Sequence, residues 1–312
     1  MCFAHDSGGG FAQMTVESGI LVMNKPQGFT SFDVIGKLRG ILKMRKLGHT
    51  GTLDPMATGV LPVLIGTAAR ACDILPDESK AYRAGFQLGT VTDTQDSSGT
   101  VLETHPFDVS EAELLAVLPQ FTGEIQQIPP MYSAVQVGGK RLYELARAGK
   151  EIERPARTVT VSGLTLEAYD RQSGSGILAI DCGKGTYVRT ILHDIGSALG
   201  CGCMMTALER TKACGFTLAD AYSFDEVQRA AEQEALRTLI IPTDRLFLTL
   251  PELRLGEAQT RLYRNGVKLE LKRVQGIQAA HPRYRVYGAE QGFLGLAEAD
   301  FENGVLRVYK NL

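Results

Sequence analysis

No stretch of this chain approaches the ~20 consecutive apolar residues that a membrane-crossing helix needs, so no membrane association is expected. The first residues, Met1 to about Ser18, contain Gly8-Gly9-Gly10 and no apolar core behind a basic start. They read as a loose tail rather than a secretory signal, with Met14 as an alternative initiator. Positive charge is not in surplus either: 33 Lys and Arg stand against 35 Asp and Glu, a formal net charge of -2. The molecule as a whole is no polycation, and any grip on a polyanion must come from local basic clusters. Cysteine is sparse, six scattered residues without secretory context, which points to reduced thiols in the cytoplasm. Cys201-Gly-Cys203 resembles half a zinc site, but a second ligand pair is missing, so small buried thiols and no metal are expected.

Several chemistries are missing their signatures. Gly183-Lys184-Gly185 lacks both the upstream glycine and the following Ser/Thr of a phosphate-binding P-loop. No Gly-x-Gly-x-x-Gly follows the first apolar strand, which removes a dinucleotide site. His49 lies near Asp54 in sequence, but no Gly-x-Ser-x-Gly elbow accompanies it. Asp93 and Asp96 read as a polar turn in preference to a magnesium site.

What is present is ordinary globular composition, 44% hydrophobic and 22% charged over 312 residues. At this length the prior is about two domains. Residues 19–26 form an apolar strand ended by Lys25-Pro26. Thr30 or Ser31 caps the helix that follows, with Asp33 in its first turn where the dipole favours an acid. Phe32, Ile35, Leu38, Ile41 and Leu42 give that helix an apolar face at helical spacing. Lys37, Arg39, Lys43, Arg45 and Lys46 make a basic surface, with no acid between Asp33 and Asp54. Residues 60–65 are short, apolar and buried. Residues 82–88 and 177–182 read as strands, 92–99 as a polar turn, and 111 to about 118 as a helix. Residues 188–199 carry apolar positions at helical spacing. Ser223 with Glu226 is a capping box for a helix through about Leu236.

Residues 123–158 break this pattern. They begin irregularly, contain a short helix over 140–147, and carry six bases against three acids across 140–157, a local charge of +3. This is the composition of a basic insertion. After about Pro251 short strands, near 253–255, 266–269, 283–287, 293–296 and 306–309, alternate with turn residues. A separate β-rich domain is expected there, carrying Arg261, Arg264, Lys268, Lys272 and Arg273.

One carboxylate stands out for its setting. Asp54 precedes Pro55, which pushes it out of helical geometry. Gly48, Gly51 and Gly59 flank it and allow tight turns and close approach of a ligand. By itself an Asp-Pro pair is a common turn. It gains weight from the order in which Gly48-His-Thr-Gly-Thr-Leu-Asp-Pro-Met-Ala-Thr-Gly59, Lys80-Ala-Tyr82, Asp93-Thr-Gln-Asp96, Lys184-Gly-Thr-Tyr-Val-Arg189 and Leu208-Glu-Arg210 follow one another. In these motifs the chain closely resembles the TruB family of tRNA pseudouridine synthases, over about 19–244 and more loosely beyond.

The resemblance implies isomerisation of uridine 55 in the T loop of tRNA, with no cofactor, metal or nucleotide energy. It implies Asp54, Tyr82, Tyr187 and Arg189 as catalytic residues, and Asp96 as an acidic partner of Arg189. Leu208 would wall the base pocket, His49 would contact the loop from which the uridine leaves, and Lys25 and Lys184 would serve substrate binding. Lys140, Arg141 and Arg147 of the insertion would bind RNA. The implied organisation is a tail (1–18), a catalytic domain (19–250) and a PUA-like RNA-binding domain (251–312). The expected body is α/β (α+β), a mixed, largely antiparallel sheet flanked by helices.

The chemistry is consistent with those roles. The base must leave its stack to expose C5 and the glycosidic bond, at a cost of a few kcal/mol that an aromatic face and an apolar wall offset. Asp54 must be ionised whether it attacks the sugar, attacks the base or removes a ribose proton, and a cation beside it favours that form. Two other readings compete: a catalytic subunit directed by a guide RNA, which the basic insertion argues against, and an RNA-binding module without turnover, which Asp54, Tyr187 and Arg189 argue against. The expected partner is therefore tRNA, gripped through its T arm without guide RNA, and nothing in the sequence calls for more than a monomer.

Overall fold

The structure, a computed structural model, describes residues 18–279, 281–290 and 292–312. The expected N-terminal tail lies outside these, except Ser18, which opens the first strand. In chain order the first strands are β1 (Ser18–Lys25), β2 (Leu47–His49), β3 (Thr58–Gly66), β4 (Lys80–Leu88), β5 (Thr90–Thr92), β6 (Val101–Thr104) and β7 (Gly123–Gln127). Next come β8 (Gln136–Val137), β9 (Lys140–Arg141), β10 (Arg157–Asp170), β11 (Ser175–Cys182), β12 (Cys203–Ala213) and β13 (Phe216–Thr217). The chain closes with β14 (Glu252–Arg254), β15 (Leu269–Glu270), β16 (Arg283–Gly288), β17 (Gly292–Asp300) and β18 (Val305–Asn311). The helices are α1 (Ser31–Leu42), α2 (Glu111–Val117), α3 (Leu142–Arg147), α4 (Val188–Ala198), α5 (Phe224–Glu232) and α6 (Glu257–Arg264).

The central sheet runs β1-β3-β12-β4-β11-β10-β7, with β2 on β3 and β13 on β12. Every pairing in it is antiparallel except β3 with β12, so the mixed, largely antiparallel expectation holds. The runs in β1 and β3 are apolar without interruption because both faces of the sheet are covered there. Ile20, Val22, Val60 and Leu64 point to one core with Phe247 and Leu296, and Leu21, Met23, Leu61 and Val63 to the other with Val34, Leu38 and Phe224. This is the two-residue period of a strand read on both sides. Each fully buried aliphatic or aromatic side chain contributes roughly 1.5–3 kcal/mol. On the β4 side, α4 lays Ile191, Leu192 and Ile195 against Phe86, Leu178 and Ile180.

Helix α1 starts as read: Thr30 caps it and forms a capping box with Asp33. It stops because Lys43 adopts a left-handed conformation at φ +53°. Its buried face is Ser31, Val34, Ile35, Leu38 and Leu42, an i, i+3, i+4, i+7, i+11 series. Phe32, expected on that face, is off it by one residue and is 73% exposed. Helix α5 has its Ser223–Glu226 box but ends at Glu232, four residues before the expected Leu236.

The expected insertion narrows. Residues 123–127 are β7, paired with Arg157–Val161 at the edge of the central sheet, so only 128–156 lie outside it. Lys140 and Arg141 form a small hairpin with Gln136 and Val137 ahead of helix α3. The C-terminal sheet runs β14-β16-β17-β18-β15 around Leu253, Tyr263, Tyr284, Val286 and Leu306. Helix α6 in this part was not expected from sequence, since it buries only Thr260 and Tyr263 and has glycine, without a side-chain cap, at its start. The strand expected at 266–269 shrinks to Leu269–Glu270.

Among the described residues no helix is long and apolar enough to cross a membrane. Cys201 and Cys203 are buried free thiols, and no cluster of three His, Cys, Asp or Glu is placed to hold a metal among the described residues.

Candidate active site

Asp54 sits in the loop joining β2 to β3, at the first position of a turn closed by Ala57 N–H donating to the Asp54 carbonyl at 3.1 Å. Pro55 occupies the second position, where its fixed φ suits the turn. The loop is fastened from the other end of the chain's first helix. Ser31 Oγ accepts from Leu53 N at 2.9 Å, Gly28 N donates to Pro55 O at 2.8 Å, and Lys25 Nζ donates to the carbonyls of Phe29, Pro26 and Pro55 at 2.5, 3.0 and 3.2 Å. Lys25 is closed off from solvent, and burial lowers its pKa to about 8, with Asp54 opposing that shift. Its role here is to hold the backbone on either side of Asp54.

On the far side of the loop, β3 and β12 run parallel and bring Arg210 opposite Gly59. A Cβ on Gly59, which has φ +100°, would lie 2.2 Å from the Arg210 carbonyl, so only glycine permits this approach. The Arg210 side chain is fully buried and donates to Val60 O at 2.7 Å and Gly51 O at 3.1 Å.

Arg189, the second residue of α4, reaches across to Asp54. Its Nε is 3.0 Å from Asp54 Oδ2 and its Nη2 is 3.3 Å from Oδ1, a fork on one carboxylate. Asp96 Oδ2 lies 3.7 Å from the same Nε. The remaining donors go to carbonyls, Nη1 to Thr94 at 2.9 Å and Nη2 to Tyr132 at 3.0 Å. The Arg189 side chain is 5% exposed and that of Asp96 6%, whereas Asp54 is 35% exposed. The cation is therefore buried and held, and the carboxylate it faces stays open to a ligand. Asp96 is itself fixed by Thr94 Oγ1 at 2.8 Å and Ser98 N at 3.0 Å. Hydrogen bonds to a charged group contribute about 1.5–3 kcal/mol each, so this network is far stiffer than a surface pair.

Tyr82 and Leu208 join one buried cluster with Leu53 and Ala57, the residues flanking Asp54. In register, Tyr82 lies between Ile180 of β11 and Arg210 of β12, and burial pushes its phenol up to about 12. It is a neutral aromatic face beside the loop. Tyr187 caps α4, and its backbone is gripped by Gln127 at the end of β7. Tyr187 N donates to Gln127 Oε1 at 2.8 Å, and Gln127 Nε2 donates to Tyr187 O at 3.0 Å.

His49 ends β2 with its ring edge-on to the exposed Phe32 at 5.5 Å. Burial, then the nearby Arg210, lowers its pKa, which keeps it neutral near pH 7. Lys184 lies on the exposed turn before α4 and pairs with Glu78 at 2.6 Å, with no contact to Asp54. Lys140, Arg141 and Arg147 are exposed on the insertion, the two arginines 5.9 and 5.5 Å from the Tyr143 ring. The insertion reaches the site through Tyr132, and an open cleft of about 560 Å³ separates it from the outer face of α4.

Arg210, named only as the end of a motif, Ser31, named only as a helix-cap candidate, and Gln127 and Tyr132 were given no place in the site from sequence. Arg210 left one signal, because it shares a strand face with Leu208 and so points inward. The other three act through backbone contacts that no spacing rule encodes.

The chain resembles known proteins over most of its length. A family model described as "TruB family pseudouridylate synthase (N terminal domain)" matches residues 39–188, and one described as "tRNA pseudouridylate synthase B C-terminal domain" matches residues 189–248. A tRNA pseudouridine synthase B of Pseudomonas fluorescens is 44% identical over 252 residues, 80% of this chain and 82% of the relative. One of Halalkalibacterium halodurans is 43% identical over 289 residues, 90% and 93% of the two chains. Among solved structures, a chain from "Crystal Structure of a Cbf5-Nop10-Gar1 Complex" superposes with a TM-score of 0.70 at 26% identity, covering 92% of this chain and 80% of that one. The two family matches meet between Val188 and Arg189, so the Asp54–Arg189 pair bridges them.

Proposed function

The chain belongs to the TruB family of pseudouridylate synthases, and we propose that it converts uridine 55 in the T loop of tRNA to pseudouridine, as a monomer without guide RNA or cofactor. The observation that carries this reading is the fork of Arg189 on Asp54. It supplies a partly exposed carboxylate, forked by a buried cation, in a loop whose backbone is fixed at both ends.

The reaction needs little else. The N1–C1′ bond breaks, the base turns, a C5–C1′ bond forms, the C5 proton leaves and N1 gains one, so atoms balance without a co-reactant. The uridine enters as a flipped base, and Tyr82 offers it an aromatic face while Leu208 walls the pocket. Asp54 acts ionised, Asp96 steadies Arg189, and Tyr187 relays the C5 proton. His49, neutral and edged by Phe32, meets the loop that the base leaves. Lys140, Arg141 and Arg147 grip the T arm, and Lys25 and Lys184 support substrate binding, Lys25 through the loop backbone. The C-terminal sheet acts as a PUA-like RNA contact. Residues 128–156 replace a guide by contacting tRNA directly.

The test uses tRNA carrying tritium at uridine C5, the pure protein, and no guide RNA, metal or nucleotide. Tritium release is expected and should fall by about 10³-fold or more in Asp54→Asn. A folded preparation that binds tRNA but releases nothing would favour a binding module or a guide-dependent enzyme.

A further inference from the structure

Among the described residues, two cations beside the Asp54 loop are paired with no anion. Arg210 is fully buried beside the Tyr82 phenol, with Nε and Nη2 on carbonyls, and its Nη1 has no hydrogen-bond acceptor within reach among the described residues. Lys80, half-buried at the start of β4, has no ion pair or hydrogen bond for its ammonium among the described residues. The nearby acid, Glu78, is already engaged by Lys184 at 2.6 Å. Cys182 and Cys214, also close to Lys80, are kept as neutral thiols by burial, Cys182 with a pKa of about 11.

Both nitrogens lie beside the bare backbone of Gly51, with the Lys80 stem nearest to it. A Cβ on Gly51 would lie 3.7 Å from Arg210 Nη1 and 4.0 Å from Lys80 Nζ. Glycine leaves that space free of a side chain. A third unpartnered polar atom, the buried Nδ1 of His49, belongs to the same loop. Burial, then Arg210, lowers the Lys80 pKa. A buried donor without an acceptor is unfavourable, and like charges side by side add to this. An arrangement so unfavourable when empty is one that an anion completes.

We propose that Lys80 and Arg210 form a seat for a tetrahedral oxyanion, occupied by a backbone phosphate of the RNA substrate next to the flipped uridine. The identification of the phosphate as RNA's rests on the function proposed above; the anion site itself does not. Phosphate oxygens accept from Arg210 Nη1 and Lys80 Nζ over the bare face of Gly51. The site fixes the strand on one side of the uridine while Tyr82, in register with Arg210, takes the base.

The probe is inorganic phosphate, titrated into the full chain at ionic strength matched with chloride and followed by ³¹P line broadening. Affinity for tRNA is measured by filter binding in the Asp54→Asn background, so that no turnover enters the result. Saturable phosphate binding that competes with tRNA is expected. Lys80→Met should abolish it, weaken tRNA binding about tenfold and reduce the slope of log affinity against log salt by about one. Lys80→Arg should recover part of each. Gly51→Ala, which fills the space without touching either cation's charge, should also lose phosphate binding, while circular dichroism monitors the fold of all three. No saturable phosphate binding by the unsubstituted chain, or binding retained in both Lys80→Met and Gly51→Ala, overturns the site. Phosphate binding lost in Lys80→Met with tRNA affinity and salt slope unchanged means an adventitious ion only, and overturns the RNA assignment. A chain that binds phosphate and tRNA as described but forms no pseudouridine overturns the proposed reaction and leaves the anion site standing.

Discussion

Arg189 shows how one residue can serve stability and chemistry together. Its guanidinium meets two carboxylates and two carbonyls while nearly closed off from water. Removing it strands Asp96, which is 6% exposed. Breaking a buried pair from one side costs about 3–5 kcal/mol, so Arg189→Met should lose that much in urea unfolding as well as its activity. A stability change below about 1 kcal/mol would contradict the burial argument. Lys25 gives a pH signature of opposite origin. Burial lowers its folded pKa to about 8 from the ordinary 10.5. Between those values the unfolded chain binds more protons, so stability rises with pH across about 8 to 10.5. Below pH 8 both states are charged and the full burial penalty applies. The stability of the unsubstituted chain minus that of Lys25→Met should therefore grow between pH 7.5 and 10.5, and a flat difference would count against this account. At this scale the sequence offered Asp54, Tyr82, Tyr187 and Arg189 through motif order. It could not reveal Arg210's two carbonyl contacts, because they join residues 150 and 159 positions apart.

Elements place these residues. The turn at Asp54 is local, since Pro55 and the glycines specify it within a few positions. The fastening of that turn is not, because Ser31 at the start of α1 and Lys25 at the end of β1 reach it through space. The insertion behaves as a separate element: its tip is exposed and basic, and Tyr132 at its root touches Arg189. Replacing Lys140, Arg141 and Arg147 together with glutamine should weaken tRNA binding and lower the salt slope by up to about three, with the fold intact. An unchanged slope would remove the insertion from the RNA interface. Its extent was overread from sequence because β7, with an exposed and polar edge strand's composition, looks like loop until its pairing with β10 is seen. Phe32 was misread for the opposite reason, since hydrophobicity alone does not distinguish a core residue from one kept exposed beside His49.

At the scale of the whole molecule the two sheets are not independent. Leu296 of the C-terminal sheet packs in the same core as Ile20, Val60 and Phe247 of the body. Tyr287 donates to Asp244 at 2.6 Å, Arg285 to Leu250 O at 2.9 Å, and Lys310 pairs with Asp73 at 3.1 Å. Leu296→Ala should therefore cost about 2–5 kcal/mol and shift a single calorimetric transition. Two resolved transitions, with only one displaced, would show that the sheets unfold separately. The sequence by itself determined the first helix and its cap, the Asp54 turn and the β-rich C-terminal part, because periodicity, caps and turn chemistry are short-range and leave local marks, while the sheet type and the residues grouped around Asp54 came with the resemblance carried by its motifs. Only the tertiary structure decided which cations face Asp54, which are left without an anion, and that the C-terminal sheet shares the body's core. Those outcomes depend on strand order, above all the parallel contact of β3 with β12, and pairing between residues far apart in sequence leaves no mark in the periodicity of either strand.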